Sequence, residues 1–472
     1  MPLTMTSSLS LWSILALLVP VGLALLAVGA AQEERAEEVA AASVIALAAA
    51  VLAYWLCGFA FQFGGVAFVS GLPGLQSLTA EWSPLDVAWG SGWGLLGLRG
   101  FLLSGEAYHP DVYALFLAHL PVVTTVVLGV LLILCQQVKR VVLLAIGCLV
   151  AGFIYPLAAN WVWGGGWLAN LRLTAGLGHG FVDAGGSGLA FLFCALVALS
   201  VLAILRPRRQ ADAGPARLPP VHFPLLMILG CFIAWIGWAG LVLGNPLAAG
   251  LIDPAVTTLN LILGAAGAAM AVTAYTWFVT TRPDAMAVGR GVVAGLVAVS
   301  SASPFVPSWA AILIGAVGGL LFLFGLYFWE QRVRLDDPSG LVATLGAPGV
   351  WGVLSVALFA DGRWGAGWNG VGEAAQGVTG LLSRQSPAPT GVGQFQAQLV
   401  GLGALLVAGW LLPWLFFKLL LWLREQLRRA KAAHAAADAA AGASTSSGEA
   451  PPEEPQPTEA AAHDPEETPA AG

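Results

Sequence analysis

Eleven long apolar runs constrain the fold of this chain more than any other feature. Each is roughly 17 to 29 residues long, the length that a helix needs to cross the hydrocarbon core of a bilayer. Helices are required because an open strand edge in lipid would leave backbone groups unpaired. The sequence therefore predicts an all-α membrane protein with eleven transmembrane helices. The predicted spans are residues 9–31, 38–66, 112–134, 141–162, 179–205, 221–244, 256–280, 287–303, 308–329, 341–360 and 395–423.

The composition is that of a protein covered by lipid. Hydrophobic residues make up 58% of the 472 residues, charged residues make up 10%, and the mean hydropathy is +0.81. A water-soluble core cannot hide that much apolar surface, so a lipid bilayer is the predicted surroundings. The 59 glycines and 19 tryptophans fit this interpretation. Small residues let membrane helices approach closely, and tryptophan anchors helices at membrane interfaces.

The few basic residues indicate the orientation of the chain. If the N-terminus is outside, the external loops hold only four of the 20 Lys and Arg residues, namely Arg99, Arg172, Arg363 and Arg384. Cytoplasmic loops of membrane proteins carry the excess of basic residues. The bias predicts a multi-pass protein of the cell membrane with its N-terminus outside and its C-terminus in the cytoplasm. No basic stripe lies on a soluble segment, so no nucleic-acid partner is predicted.

The two ends of the chain differ from the spans between them. The first span has small residues at 29–31, as a cleaved signal peptide would, but no Lys or Arg precedes Arg35. The usual basic region of a signal peptide is therefore missing, and a retained span is favoured. From about Ala435 the chain is rich in Ala, Glu, Pro and Ser and cannot bury enough surface to offset its ordering entropy. We predict a transmembrane domain over residues 1–430 and a disordered cytoplasmic tail over 431–472.

The sequence contains no recognisable site of enzyme chemistry. Nothing in it matches a P-loop, a dinucleotide fingerprint, a nucleophile elbow or a zinc-binding spacing. The five cysteines lie in or beside apolar runs and form no CxxC pair, so we interpret them as packing residues. We therefore predict no enzyme activity, no catalytic residue, no metal and no cofactor.

Three residues stand out as polar or aromatic groups at positions where chemistry is possible. His119 lies within the third span, where it is either a functional ionisable group or a neutral histidine bonded to a neighbouring helix. Asp183 starts the fifth span, where it either caps the helix by accepting backbone N–H bonds or binds a ligand, and the cap is favoured. Trp163 belongs to the tryptophan-rich stretch 161–167, whose rings form either a cation–π cradle or an interfacial belt.

Read in order, several short motifs resemble those of the ammonium transporter (Amt/Rh) family. Each motif alone is weak, but their shared order and spacing from about residue 15 to 423 make the set specific. The motifs are Tyr155-Pro156, Trp163-Gly164-Gly165-Gly166-Trp167, Val182-Asp183-Ala184-Gly185-Gly186-Ser187, Ile236-Gly237-Trp238, Gly240, Arg282-Pro283-Asp284, Ala294-Gly295-Leu296-Val297-Ala298, Asp336-Asp337-Pro338, Pro348-Gly349-Val350-Trp351-Gly352, Gly377-Val378-Thr379-Gly380-Leu381 and Gln398-Leu399-Val400-Gly401.

The resemblance implies a fold and an assembly. Members have eleven helices, of which the first ten form two inverted five-helix repeats around one pore, followed by a C-terminal helix. Inverted repeats place the conduction path at their interface near the middle of the bilayer. The resemblance also implies a homotrimer with a pore in each protomer. An external aromatic site then collects ammonium, two phenylalanines gate the entrance, and two pore histidines handle the deprotonated substrate or its proton.

Carried over position by position, the external site matches the family only in part. Trp163 falls at the cation-binding tryptophan, and Trp238 also matches. Asp183 falls at the aspartate that supports the site without touching substrate. The other matches are substitutions: the sixth-helix gate phenylalanine becomes Leu241, the serine near it becomes Asn245, and the third-helix gate phenylalanine becomes Leu120.

The larger departure lies in the pore. Phe191 and Leu345 align with the two pore histidines, and neither helix holds a histidine nearby. The family's cytoplasmic tail motif is also replaced, by a basic stretch from Arg424 to Lys431. An unpaired charge is heavily penalised in an apolar tube, so the resemblance predicts a dry conduit that passes neutral ammonia slowly or is closed by Phe191.

Two functions remain open at this stage. One is a transporter of ammonium or ammonia with altered mid-pore chemistry, in which His119 replaces a lost proton-handling group. The other is a non-conducting sensor, or a partner subunit in a mixed trimer with an intact relative. Both rest on the resemblance, because a fold does not by itself specify a function.

Overall fold

The computed structural model of the chain describes residues 5–31, 33–72, 74–205, 222–334, 339–371, 376–383 and 389–446. Among those residues, ten helices are long and apolar enough to cross a membrane, and one shorter apolar helix lies between two of them. The bounds are α1 (Leu11–Ala30), α2 (Ala36–Phe68), α3 (Pro110–Leu134), α4 (Arg140–Trp163), α5 (Ser187–Leu205), α6 (Pro224–Leu243), α7 (Pro254–Thr280), α8 (Ala285–Ser300), α9 (Ser308–Val333), α10 (Leu341–Phe359) and α11 (Gly391–Asp438).

The all-α membrane architecture predicted from the apolar runs is confirmed, and each predicted run overlaps one of these helices. The start of the fifth span differs clearly from the prediction, because α5 begins at Ser187 rather than at residue 179. Gly180 and Gly186 have φ angles of 70° and 77° in the segment before it. A right-handed helix cannot include residues in this left-handed conformation, which glycine adopts readily. The segment before α5 is therefore a loop.

Small residues bring the helices into close contact. A Cβ added at Gly315 of α9 would collide with the carbonyl group of Gly264 in α7, and one added at Gly22 of α1 would collide with the backbone of α6 near Gly230. Membrane helices associate through this kind of backbone approach, because lipid offers no hydrophobic driving force between them. The glycine-rich composition is thus used at helix crossings.

The outward surface of the helices is apolar. Phe278 is 90% exposed, Met270 is 70% exposed and Leu225 is 69% exposed. Large apolar side chains that are this exposed, on several helices, are typical of a lipid-facing surface rather than of a monomeric soluble protein. The buried interior is apolar as well, with scattered hydrogen-bonded polar groups.

Single π-helical turns interrupt several of the helices. They lie at Tyr54–Gly58, Val150–Ile154, Ser187–Leu192, Phe328–Val333 and Val407–Leu411. Such turns are frequent at functional positions because they turn neighbouring side chains away from the regular helical register. The turn at the start of α5 contains Phe191, one of the two residues that align with the family's pore histidines.

The segment between α2 and α3 forms a small structure over the end of α2. Its two strands, β1 (Glu81–Trp82) and β2 (Leu96–Gly97), pair antiparallel with Glu81 opposite Gly97. A Cβ added at Gly97 would collide with the carbonyl of Ala60. The hairpin therefore rests directly on α2.

The C-terminal residues differ from the sequence-based prediction. Helical structure runs from Leu412 to Ser446, so the prediction of disorder from about Ala435 was wrong as far as Ser446. Alanine has the highest helix propensity, and the alanine-rich composition that lacks a core still favours a helix. The remainder of the predicted tail, 447–472, lies outside the described residues. The chain divides into two compact units after Phe417, so the predicted domain boundary at residue 430 lies inside the second.

Candidate functional site

A cavity of about 470 Å³ lies where the loops after α2, α4 and α6 meet. Its wall combines apolar side chains with the amides of three asparagines, and the described residues that form it include no charged side chain. The wall consists of Val66, Phe68, Val69, Ser70, Gly71, Val162, Trp163, Gly165, Ala169, Asn170, Leu173, Asn245, Leu247, Ala248, Leu251, Gly367, Trp368, Asn369 and Gly370.

Trp163 is fixed in this wall from two sides. It is the last residue of α4 and is 8% exposed, and its indole N–H donates to the backbone carbonyl of Asp183 at 2.9 Å. Its Cη2 atom lies 3.3 Å from the position that a Cβ on Gly186 would occupy. Gly186 thus serves two needs, a left-handed backbone and room for the indole. The ring is held rigidly, as a cation–π site requires.

Asp183 lies behind the cavity and does not form part of its wall. Its Oδ2 atom accepts the backbone N–H groups of Gly188 at 3.2 Å and of Leu189 at 2.7 Å. Its Oδ1 atom accepts the hydroxyl of Ser301. The carboxylate therefore caps the first turn of α5 and ties it to the end of α8, while its carbonyl oxygen positions Trp163.

Asn245 follows the end of α6 and faces the cavity from the opposite side. Its Oδ1 atom accepts the backbone N–H of Leu247 at 3.0 Å and lies 3.3 Å from His119 Nε2. Asp183 and Asn245 are thus both capping residues, but only Asn245 lines the cavity. Leu241, one turn earlier on α6, is 5% exposed and buried in the interior.

His119 lies beside the cavity, in contact with two residues of its wall. Besides its contact with Asn245, its ring lies 5.5 Å from that of Trp163, centroid to centroid, and 4.7 Å from that of Phe63. The side chain is 2% exposed. Its Nδ1 atom has no hydrogen-bond partner among the residues that the structure describes.

Trp238 and Phe191 pack deeper in the interior. Their rings stack with centroids 4.9 Å apart and planes 16° apart, and Trp238 Nε1 donates to the hydroxyl of Ser300 at 2.6 Å. Neither residue lines the cavity. Leu345 of α10 is 1% exposed, and its Cδ1 atom lies 3.6 Å from the position of a Cβ added at Gly129 of α3. Phe191 and Leu345 therefore both lie inside the helix bundle.

Leu120 is not brought to this cavity. It lines a separate apolar groove of about 490 Å³ between α1 and α3, together with Ile14, which is 65% exposed, and Tyr108, which is 76% exposed. The reason is helical geometry, because consecutive residues of an α-helix point about 100° apart. With His119 directed towards Trp163 and Asn245, its neighbour Leu120 faces the outside of the bundle.

The loop Gly367–Gly370 forms the far wall of the cavity and was not predicted from the sequence. Asn369 has a φ angle of 54°, and its side-chain amide donates to the carbonyls of His179 at 2.8 Å and Phe181 at 3.2 Å. This amide holds the loop against the segment that precedes α5. A glycine-rich run next to an asparagine, which tolerates left-handed conformations, was the only signal in the sequence.

No metal site accompanies the cavity in the described part of the chain, where no group of three or more His, Cys, Asp or Glu side chains is placed to hold an ion. Besides its aliphatic side chains, the wall contains aromatic rings, asparagine amides and the hydroxyl of Ser70. A small cation fits this set, because ring faces and amide oxygens attract positive charge without a carboxylate.

Comparison with known proteins identifies relatives over most of the chain. The model of the Ammonium Transporter Family matches residues 8–437. An ammonium transporter of Archaeoglobus fulgidus, Amt2, is 30% identical over 348 residues, which cover 73% of this chain and 69% of that protein. A putative ammonium transporter of Synechocystis is 28% identical over 356 residues, which cover 74% of each chain.

Solved structures share the fold. One titled Sensor Amt Protein has a TM-score of 0.69 and 23% identity, covering 87% of this chain and 91% of its own. The crystal structure of Mep2 from Candida albicans has a TM-score of 0.67 and 18% identity, covering 87% of this chain and 82% of its own. At these identities the likeness extends to the fold alone.

Proposed function

The chain belongs to the ammonium transporter family, and from that membership we propose that it moves ammonium or ammonia across a cell membrane through a pore within each protomer. It is a multi-pass membrane transporter and not an enzyme. The observation that carries the proposal is the uncharged cavity walled by Trp163 and Asn245, in front of an interior that holds Phe191 and Leu345.

In this proposal the substrate binds first in the cavity. The indole of Trp163 supplies a ring face, and Asn245 and Asn369 supply amide groups that can orient a small N–H donor. A cation over a tryptophan face gains roughly 0.5 to 2 kcal/mol, and more when it is desolvated. Asp183 and Trp238 act indirectly, the first by holding Trp163 and the second by packing the interior below.

Passage through the interior differs from the family pattern. The residues at the two histidine positions, Phe191 and Leu345, offer no hydrogen bond to an ion. Ammonium cannot cross such a conduit with its charge unpaired, whereas neutral ammonia can. We therefore propose that ammonium gives its proton back to the external water at the cavity and that the resulting neutral ammonia crosses the interior.

The wider arrangement follows the family. We propose two inverted five-helix repeats around the conduit with α11 outside them, a homotrimer or a mixed trimer with a relative, an external N-terminus and a cytoplasmic C-terminus. The support is the family membership, the apolar outer surface and the distribution of basic residues in the sequence.

Uptake of radiolabelled methylammonium into liposomes that contain the purified protein tests the function. Wild-type protein is expected to exceed empty vesicles. Trp163→Leu is expected to lower uptake at limiting substrate about tenfold because the ring face is lost, and Trp163→Phe is expected to fall between the two. The control is Trp89→Leu, since Trp89 is 63% exposed and outside the cavity wall.

A second function, the non-conducting sensor or partner subunit, is favoured by one contact. Phe191 is 1% exposed and stacked on Trp238, so both rings are buried in the interior of the bundle. The same liposomes separate the two functions. Wild-type uptake equal to that of empty vesicles, together with ammonium-dependent quenching of tryptophan fluorescence that Trp163→Leu abolishes, would establish binding without transport.

A further inference from the structure

We propose that Nδ1 of His119 accepts a hydrogen bond from one bound ammonium ion, which makes a second substrate position next to the cavity. This inference rests on the proposed function and deepens it.

The contact with Asn245 fixes the identity of its amide atoms. The backbone N–H of Leu247 can only donate, so the side-chain atom that it contacts at 3.0 Å is the carbonyl oxygen Oδ1. The same oxygen lies 3.3 Å from His119 Nε2. An oxygen cannot donate, so Nε2 must carry a proton and donate to it.

The protonated Nε2 determines the state of the other nitrogen. In a neutral imidazole one nitrogen donates and the other accepts, so Nδ1 holds a free lone pair. The His119 side chain is 2% exposed, so this acceptor is buried. No residue that the structure describes donates to Nδ1. Buried polar atoms without partners are rare in folded proteins and mark either strain or a missing small partner.

The groups around His119 favour one chemical kind of partner for its Nδ1 atom. The rings of Trp163 and Phe63 lie 5.5 and 4.7 Å from the imidazole, centroid to centroid. Ring faces attract a cation, and a lone pair requires a donor. A small cation that carries N–H groups satisfies both requirements. His119 also contacts Trp163 and Asn245, which line the cavity, so an ion captured there has a short path to it.

Two substitutions separate binding at Nδ1 from a purely structural role. In histidine, Nδ1 is attached to Cγ, at the position of the amide atoms of asparagine, whereas Nε2 is one bond further out, as in glutamine. His119→Asn therefore keeps an acceptor near Nδ1 and loses the contact with Asn245. His119→Gln keeps a donor to Asn245 and loses the acceptor.

We expect His119→Gln to lower methylammonium uptake about tenfold or more at limiting substrate, because a hydrogen bond from a charged donor is lost. His119→Asn should keep most of it. If His119 only positions Asn245, the order reverses, with glutamine active and asparagine impaired, and the inference is overturned. Equal activity of both variants and the wild type also overturns it, although transport itself would stand.

A direct measurement does not depend on transport. Full-length protein with ¹⁵N-labelled histidine is placed in lipid nanodiscs and titrated with ammonium chloride, with sodium chloride as control. The His119 signals are identified by their loss in His119→Gln. We expect an unprotonated Nδ1 whose resonance shifts with ammonium and not with sodium. A protonated Nδ1 refutes the inference, as does an unprotonated Nδ1 that ignores ammonium, which indicates bound water only. A shift in a protein that shows no uptake would retain the second position and reject transport.

Discussion

At the level of single residues, Asp183 holds Trp163 of the cavity wall in place without being part of that wall. Its two carboxylate oxygens accept hydrogen bonds from Gly188, Leu189 and Ser301, and its carbonyl accepts one from Trp163. The side chain is completely buried. A carboxylate suits this position because it is an acceptor only, and these three groups all donate to it.

Replacing Asp183 with asparagine should therefore destabilise the protein. The amide offers one acceptor oxygen, and its NH₂ group would face the backbone N–H groups of α5 or the hydroxyl of Ser301. Leaving buried donors unsatisfied costs about 1 to 3 kcal/mol. We expect the thermal unfolding midpoint of Asp183→Asn in detergent, measured by scanning fluorimetry, to lie below that of the wild type.

The matched control for this change is Asp253→Asn. Asp253 caps α7 by accepting the backbone N–H of Val256 at 2.9 Å, and asparagine caps helices as well as aspartate does. Its midpoint should stay near that of the wild type. Equal midpoints for Asp183→Asn and Asp253→Asn would show that the network around Asp183 adds no stability beyond a simple cap.

At the scale of elements, the hairpin β1–β2 supports the end of α4. The indole N–H of Trp161 donates to the carbonyl of Leu95 at 3.0 Å, and the backbone N–H of Trp167 donates to that of Gly94 at 3.1 Å. Trp163 lies between these two anchors in the chain. The position of the cavity wall therefore depends on a hairpin that contributes no residue to it.

Glu81 is the residue of this hairpin whose charge state affects stability. A Cβ added at Gly65 would lie 2.8 Å from Glu81 Oε2, and one added at Gly94 would collide with the same atom. The carboxyl group is thus packed against two glycines. Burial, and then the nearby charge of Asp86, raise the pKa of Glu81 from its usual 4.5 to about 7.

The raised pKa makes stability depend on pH in a definite direction. Between about pH 4.5 and 7 the folded protein retains a proton on Glu81 that the unfolded chain has lost, so stability falls as pH rises through this window. We expect the unfolding midpoint of the wild type to drop across the window more than that of Glu81→Gln, which cannot ionise. Glu106→Gln is the control, since the Glu106 side chain is 73% exposed. Parallel pH profiles for wild type and Glu81→Gln would contradict the assignment.

At the scale of the whole molecule, the sequence predicted the helices better than the site. The spans were predictable because a bilayer imposes a length and a polarity that appear directly in the chain. Local patterns also indicated Trp163 and Asp183. The pairing of His119 with Asn245 was not predictable, because these residues are 126 positions apart and meet only after the helices pack.

Two differences show where alignment and overall composition fail as guides to structure. Aligning the third-helix gate with Leu120 placed a hydrophobic residue at the cavity, but the rotation of α3 turns that side chain to the groove shared with α1. In the tail, composition alone predicted disorder, yet alanine propensity continues the helix to Ser446. In each case the sequence indicated the type of residue, and packing or propensity decided its structure.

Orientation in the membrane is the remaining whole-molecule prediction. The excess of Lys and Arg in alternate loops predicts an external N-terminus and a cytoplasmic C-terminus. Two exposed positions report the two sides. Val87 is 96% exposed in the segment between α2 and α3, and Ala433 is exposed on the helix that ends the described chain.

Cysteine labelling tests this orientation in intact cells. In a Cys148→Ser background, which removes the exposed native cysteine, Val87→Cys should react with a membrane-impermeant maleimide added outside. Ala433→Cys should react only after the cells are permeabilised. The background protein without either new cysteine sets the blank, and methylammonium uptake by each variant shows that it is folded. Labelling of Ala433→Cys but not of Val87→Cys in intact cells would show that the topology is the reverse of the predicted one. The cavity beside Trp163 would then open to the cytoplasm and act in export.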